Sequence, residues 1–277
     1  MQPADFFQTA AAGALMGFLL AFPARAARSA LEALTAFAVS VLPALLPFSV
    51  CALLITAGKT LPAAGVCLLA LPGGSPAGAR LFQDAALPPG AARRCAAATG
   101  GMSAMFFLGT LAGWLESPAA GRLLLAAHWL SALGAALLAG PRTKAPVTMP
   151  ALSVPQAVSQ AAQAMLTAAA CAAMGSVCAG LTGALLPCLG PLPQALAQGA
   201  AEVTLGCRAL TALRPAPPLL LPLLAALTAF GGGAILLQNA VFWRKNGLAL
   251  STLCGLALLR AGLAFFLCLL LAQLPIL

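Results

Sequence analysis

Apolar runs of about 20 residues, the length of helix that crosses a bilayer core, recur along the chain and are separated by short polar, glycine- or proline-bearing stretches. The runs do not alternate with period two, so an outer-membrane barrel is not expected. The pattern predicts a helix over residues 6–22 and a longer one over 31–57, kinked by Pro43 and Pro47. Residues 61–71 are apolar but too short to span. A break at 72–78 follows, then a second short piece to about Leu87. Further apolar helices are expected over 89–115 and 119–139. Residues 141–155, PRTKAPVTMPALSVP, are polar and proline-bearing. They read as the connection between two halves, 31–140 and 156–274, of one membrane domain that covers 1–277.

The second half repeats the scheme. A long helix is expected over 156–186, a partly apolar segment with Glu202 over 189–210, a short apolar piece over 218–230 and a final helix over 247–274. The short piece ends at FGGGAILLQN, a second glycine break. Laid over each other, Gly73 and Gly74 fall on Gly231 and Gly232, and Arg80 falls on Gln238. Short, glycine-interrupted apolar segments in corresponding halves point to a transporter binding site.

Composition supports the membrane reading. Of 277 residues, 62% are hydrophobic and only 7% are charged. A soluble domain carries roughly 25% charged residues, so this chain cannot cover a water-facing surface. The net charge of +9 comes from cations scattered between apolar runs, as in loops flanking membrane helices, and does not point to nucleic acid. Arg25 and Arg28 follow the first run instead of preceding it, so that run reads as a membrane helix with its C-terminal end in the cytoplasm. The nine cysteines include no C-x-x-C pair and read as small buried hydrophobes. A single histidine argues against a His-based metal site, and no metal or cofactor is expected.

The chemistry expected of the breaks is anion binding. A helix interrupted inside a membrane leaves N–H and C=O groups that lipid cannot satisfy, so it must face protein or a water-filled cavity. The segment after each break starts with free N–H groups and a partial positive charge. Gly74, Ser75 and Gly78 in the first break, and Gly232 and Gly233 in the second, are the candidate backbone sites. Arg80 would add a fork suited to a carboxylate, unless it snorkels to headgroups or pairs with Asp84 four residues on. Gln238 and Asn239 would supply hydrogen bonds. Ser103, in GGMSAMFFLG, is either a contact or an ordinary helix serine. Glu202 is a candidate coupling site, because an acid at membrane depth is costly, or else the ion-pair partner of Arg208. His128 is either functional or a hydrogen-bonded packing residue. No nucleophile elbow, P-loop or H-E-x-x-H motif is present, so neither an enzyme nor ATP-driven transport is expected.

Five segments in order resemble one family. GSPAGAR (74–80), SAMFFLG (103–109), GRLLLAAHWLSAL (121–133), GAAEVTLGCRAL (199–210) and AFGGGAILLQ (229–238) are similar to segments of the YlbJ-type sporulation integral membrane proteins, in the nucleoside-recognition Gate domain group. Ser75 stands where that family's motif has tyrosine, and Ala104 where it has proline. The resemblance implies an all-α polytopic membrane protein, with two halves in an inverted repeat and broken or re-entrant helices meeting near the midplane, as in concentrative nucleoside transporters. It implies export of dipicolinate, a planar dianion, from the mother cell during endospore formation. The expected location is a bacterial cell membrane, the outer forespore membrane in particular. The expected partners are lipid and a small anionic substrate, with a homo-oligomer left open. The alternatives are a nucleoside or nucleobase transporter and a non-transporting membrane scaffold.

Overall fold

Proline and glycine placement decides where the helices stop. A computed structural model describes residues 3–85, 87–140, 146–185, 188–214 and 217–273. Helix α1 (Pro3–Ala21) gives way to α2 (Pro23–Ala36) because Pro23 has no N–H with which to continue it. Helix α2 runs through a π-helical turn (Phe37–Val41) into α3 (Leu42–Thr56). There Leu42 N–H donates to Phe37 O, five residues back, one residue before Pro43. The expected disturbance near Pro43 is present, but this helix starts at Pro23, not at residue 31. Arg25 and Arg28 therefore lie within a helix and not in a connection.

Helices α4 (Ala63–Ala70) and α5 (Ala77–Phe82) flank the first break. The single helix expected over 89–115 is in fact two. Helix α6 (Pro89–Thr99) stops at Gly100, and the chain resumes as a π-helical turn (Phe106–Leu111) leading into α7 (Ala112–Trp114). Helix α8 (Pro118–Leu138) is capped by Ser117, whose Oγ accepts from Ala120 N at 3.2 Å. The connection is partly ordered: β1 (Thr60–Pro62) pairs antiparallel with β2 (Pro146–Thr148), with Thr60 opposite Thr148. Residues 141–145 of the connection lie outside the described residues. Helix α9 (Val154–Leu185) opens on a capping box, in which Gln156 Oε1 accepts from Ser153 N at 2.8 Å.

The segment expected over 189–210 is also divided. Helices α10 (Pro191–Ala201) and α11 (Val203–Leu213) meet at Glu202, whose backbone is extended at φ −140° and ψ 113°. Helices α12 (Pro217–Phe230) and α13 (Gly232–Trp243) meet at Gly231, at φ +85°. A 3-10 turn (Arg244–Asn246) then leads to α14 (Leu250–Leu271).

The fold is all-α apart from the short ribbon. Among the described residues, five helices are long and apolar enough to cross a membrane: Pro23–Thr56, Pro118–Leu138, Val154–Gly183, Pro218–Asn246 and Leu250–Leu271. They fit a multi-pass integral membrane protein. Helix α14 packs against α8 and α12, and α9 packs against α2, α3, α10 and α13. Ala92, Ala97, Ala135, Ala157, Ala161 and Ala257 are fully buried. Small side chains at these contacts let backbones approach closely, which is how apolar helices associate when burial from water is not the driving force.

Candidate functional site

Four of the interruptions cross in two pairs. Gly74 is left-handed at φ +58°, and a Cβ on it would stand 2.5 Å from the Met102 carbonyl carbon. At that crossing Ser75 N–H donates to Gly101 O at 2.7 Å, and Ala104 N–H donates to Pro72 O at 2.8 Å. Each broken helix thus satisfies backbone groups that the other leaves open. The second crossing brings Gly232, at φ +72°, against the chain near Glu202. A Cβ on Gly232 would stand 2.8 Å from Gly199 O. Gly74 thus lies at the first crossing, against Gly101 and Met102, and Gly232 lies at the second, against residues 199–203.

A buried hydrogen-bond chain ties α13 to the first crossing. Gln238 Nε2 donates to Ser75 Oγ, and Ser75 Oγ donates to Asn239 Oδ1 at 2.8 Å. Asn239 Nδ2 donates to Gly100 O at 3.0 Å. The same carbonyl accepts from Arg260 Nη2 at 3.0 Å, while Arg260 Nη1 reaches Ala97 O at 3.2 Å. Arg260, on α14, is 2% exposed. It places a positive charge on the C-terminal end of α6, where unpaired carbonyls carry a partial negative charge.

Where these elements meet lies a cavity of about 220 Å³. Ser75 and Pro76 line it ahead of α5, Met102 and Ser103 line it after α6, and residues 202–205 line it at the start of α11. Gln238 of α13, Ser176 of α9 and Phe37 and Ser40 beyond α2 complete much of the wall. Of its lining residues Ser75, Ser176, Glu202 and Gln238 are buried, whereas Glu32 and Arg208 are exposed. Glu202 is held by its own helix: Oε2 accepts from Leu205 N at 2.8 Å, an N-cap on α11. Among the described residues the ion pairs are Arg80–Asp84 and Lys245–Asp84, so Glu202 and Arg208 do not form the pair expected as an alternative.

Of the residues singled out from sequence, Ser75, Ser103, Glu202 and Gln238 line this cavity. Gly74, Gly78, Gly232 and Gly233 do not; they hold the backbone crossings. A Cβ on Gly78 would meet Thr99 Cβ at 2.7 Å, and one on Gly233 would lie 3.4 Å from Ala201 O. Asn239 bridges Ser75 to Gly100 behind the wall. Arg80 is placed elsewhere: Nη1 donates to Asp84 Oδ2 at 2.8 Å, and Asp84 Oδ1 accepts from Lys245 Nζ at 2.7 Å. Its charge is matched by a carboxylate outside the cavity, the pairing that the i, i+4 spacing allowed. His128 is buried with its ring 4.7 Å from that of Phe107, and it fills the space beside Gly101 as a packing residue.

Sequence reasoning missed Arg260, Ser176 and Thr204, and it weighed Arg208 only as a partner for Glu202. Arg260 did carry a signal, since it is a lone cation inside the apolar run 250–271. Nothing local separates Ser176 or Thr204 from other helix hydroxyls. No protein-family model, curated protein or solved structure matches the chain.

Proposed function

We propose that the protein is a membrane transporter that passes a small organic anion through the cavity at the helix breaks, with dipicolinate as the leading substrate. The observation that carries this reading is the convergence of four interrupted helices on one partly polar cavity. Interrupted backbone at membrane depth is tolerated where it lines such a space. In this reading α4–α5 with α6–α7, and α10–α11 with α12–α13, are the broken pairs of an inverted repeat, and the cavity lies near the midplane. The first turn of α11 opens on the cavity, and its N–H groups hold the Glu202 carboxylate at the cavity wall. At about 220 Å³ the cavity is smaller than the roughly 300–1,000 Å³ pockets that take drug-sized ligands. That size favours a single-ring solute. The five segments similar to the YlbJ-type family support dipicolinate and, with it, a forespore membrane.

Glu202 would couple transport to protons. Two negative charges in one cavity repel, so an anion entering beside this carboxylate favours the uptake of a proton. A nucleoside is the second reading, favoured by Phe37, Phe106 and Trp114 in the cavity wall, on which a base would stack. Uptake of labelled dipicolinate and uridine into proteoliposomes, with and without a pH gradient, tests both. The expected result is dipicolinate uptake that responds to the gradient, and a Glu202→Gln protein that is folded but has lost this response. Uptake of uridine alone would replace the anion reading. A wild-type pH profile in Glu202→Gln would remove the coupling role.

A further inference from the structure

The motif Gly-x-Arg occurs after a break in each half, as Gly78-Ala79-Arg80 and Gly206-Cys207-Arg208. In both the glycine permits a close helix contact: Gly78 against Thr99, and Gly206 against Gly199, where a Cβ would come within 2.2 Å of the facing Cα. The arginines have opposite surroundings. Arg80 is buried, outside the cavity, and paired with Asp84 at i+4. Position i+4 from Arg208 is Ala212, and among the described residues no carboxylate lies within ion-pair distance of Arg208.

Arg208 lines the cavity with Glu32 and Glu202, and it is the one cation among the described lining residues. A carboxylate ligand would meet two acids there, and Arg208 is the charge that answers it. From another element, α9, Ser176 presents a second group. It is 1% exposed, lines the cavity, and its Oγ has no hydrogen-bond partner among the described residues. Hydroxyls this deeply buried are normally paired. A bound ligand would supply the missing partner.

We propose that Arg208, not Arg80, receives a carboxylate of the transported anion, and that the Ser176 hydroxyl contacts the same ligand from α9. The proposal rests on the anion-transport reading and names the residues that would carry its specificity. The guanidinium fork matches two carboxylate oxygens, and lysine, a point charge, does not reproduce it.

The test is equilibrium binding of labelled dipicolinate to the full chain in lipid nanodiscs. Pyridine-2-carboxylate, which has one carboxylate, and uridine serve as comparison ligands, and a melting curve is taken for each variant. Arg208→Gln is expected to weaken dipicolinate at least about tenfold, the loss of one charge-assisted contact. Arg208→Lys should fall between Arg208→Gln and wild type, and Ser176→Ala should lose about threefold or more. Arg80→Gln should bind within about twofold of wild type while melting at a lower temperature. Because Arg208 is exposed, Arg208→Gln should melt like wild type. Unchanged affinity in Arg208→Gln, with wild type binding dipicolinate, would overturn this proposal alone. Slower transport at unchanged affinity would do the same, by assigning Arg208 to a gate with Glu32. Wild type that binds neither carboxylate would overturn the anion reading and this proposal with it.

Discussion

Gly74→Ala will fail to give a stable, ligand-binding protein. The residue sits at φ +58°, a conformation that costs an L side chain roughly 1–2 kcal/mol. The added methyl would stand 2.5 Å from Met102 C and 2.6 Å from Gly101 O. Both are backbone atoms, and Ser75 N–H holds Gly101 O in place at 2.7 Å. No side chain can rotate away to relieve the clash, so the two broken helices must separate. Overpacking adds about 1–3 kcal/mol. Together with the backbone cost this is a large part of the roughly 5–15 kcal/mol that holds a native domain together. Gly255→Ala is the matched control, since nothing lies within 4 Å of the position its Cβ would take. Thermal melting followed with a thiol-reactive dye, after the exposed Cys51 and Cys188 are blocked so that the signal reads buried Cys95 and Cys207, should show a large drop in Tm for Gly74→Ala and no drop for Gly255→Ala. Equal melting curves for the two would mean that the first crossing is not packed as described.

Arg260→Leu is expected to have the second-largest effect. Replacing a buried charge by a hydrophobe is often harmless when its partners leave with it. Here the partners are backbone carbonyls and remain. Ala97 O loses a bond of 3.2 Å, and Gly100 O keeps only Asn239. Hydrogen bonds to charged groups contribute about 1.5–3 kcal/mol each, so the loss of both should exceed about 3 kcal/mol. Arg260→Lys should recover part of it, because a single ammonium keeps the charge but lacks the two separate nitrogens that reach Ala97 O and Gly100 O. Since Arg260 and Asn239 share the Gly100 carbonyl, a double-mutant cycle of Arg260→Leu with Asn239→Ala should show a non-additive loss in Tm. Additive losses would separate the two. Ligand affinity should fall with stability, because Asn239 passes the restraint on to Ser75 and Gln238 at the cavity wall.

These effects mark the line between what was legible in the residues and what was not. Hydropathy and length alone establish a helical chain built for a membrane, because a bilayer demands long runs with their backbone bonds satisfied internally. The breaks near Gly74 and Gly231 are visible because consecutive glycines, joined at the first by Pro72 and Pro76, interrupt an apolar run. Gly100–Gly101 is the same signal, but glycine is common in membrane helices and no proline stands beside this pair, so 89–115 reads as one helix. The break at Glu202 has no local cause as strong as glycine. Its extended backbone follows from the crossing with Gly232, contributed from another part of the chain.

The arginines show the limit most clearly. Arg80 and Arg208 follow glycine at the same spacing, and local sequence marks Arg80 as the candidate carboxylate ligand and Arg208 only as a partner for Glu202. Asp84 and Lys245, the latter 161 residues from Asp84, take Arg80 into an ion-pair cluster, while α11 brings Arg208 to the cavity. Composition and periodicity determine which segments enter the membrane, since each segment meets the lipid on its own. Which charge meets the cavity is decided by contacts between distant segments, and only the tertiary structure brings those together.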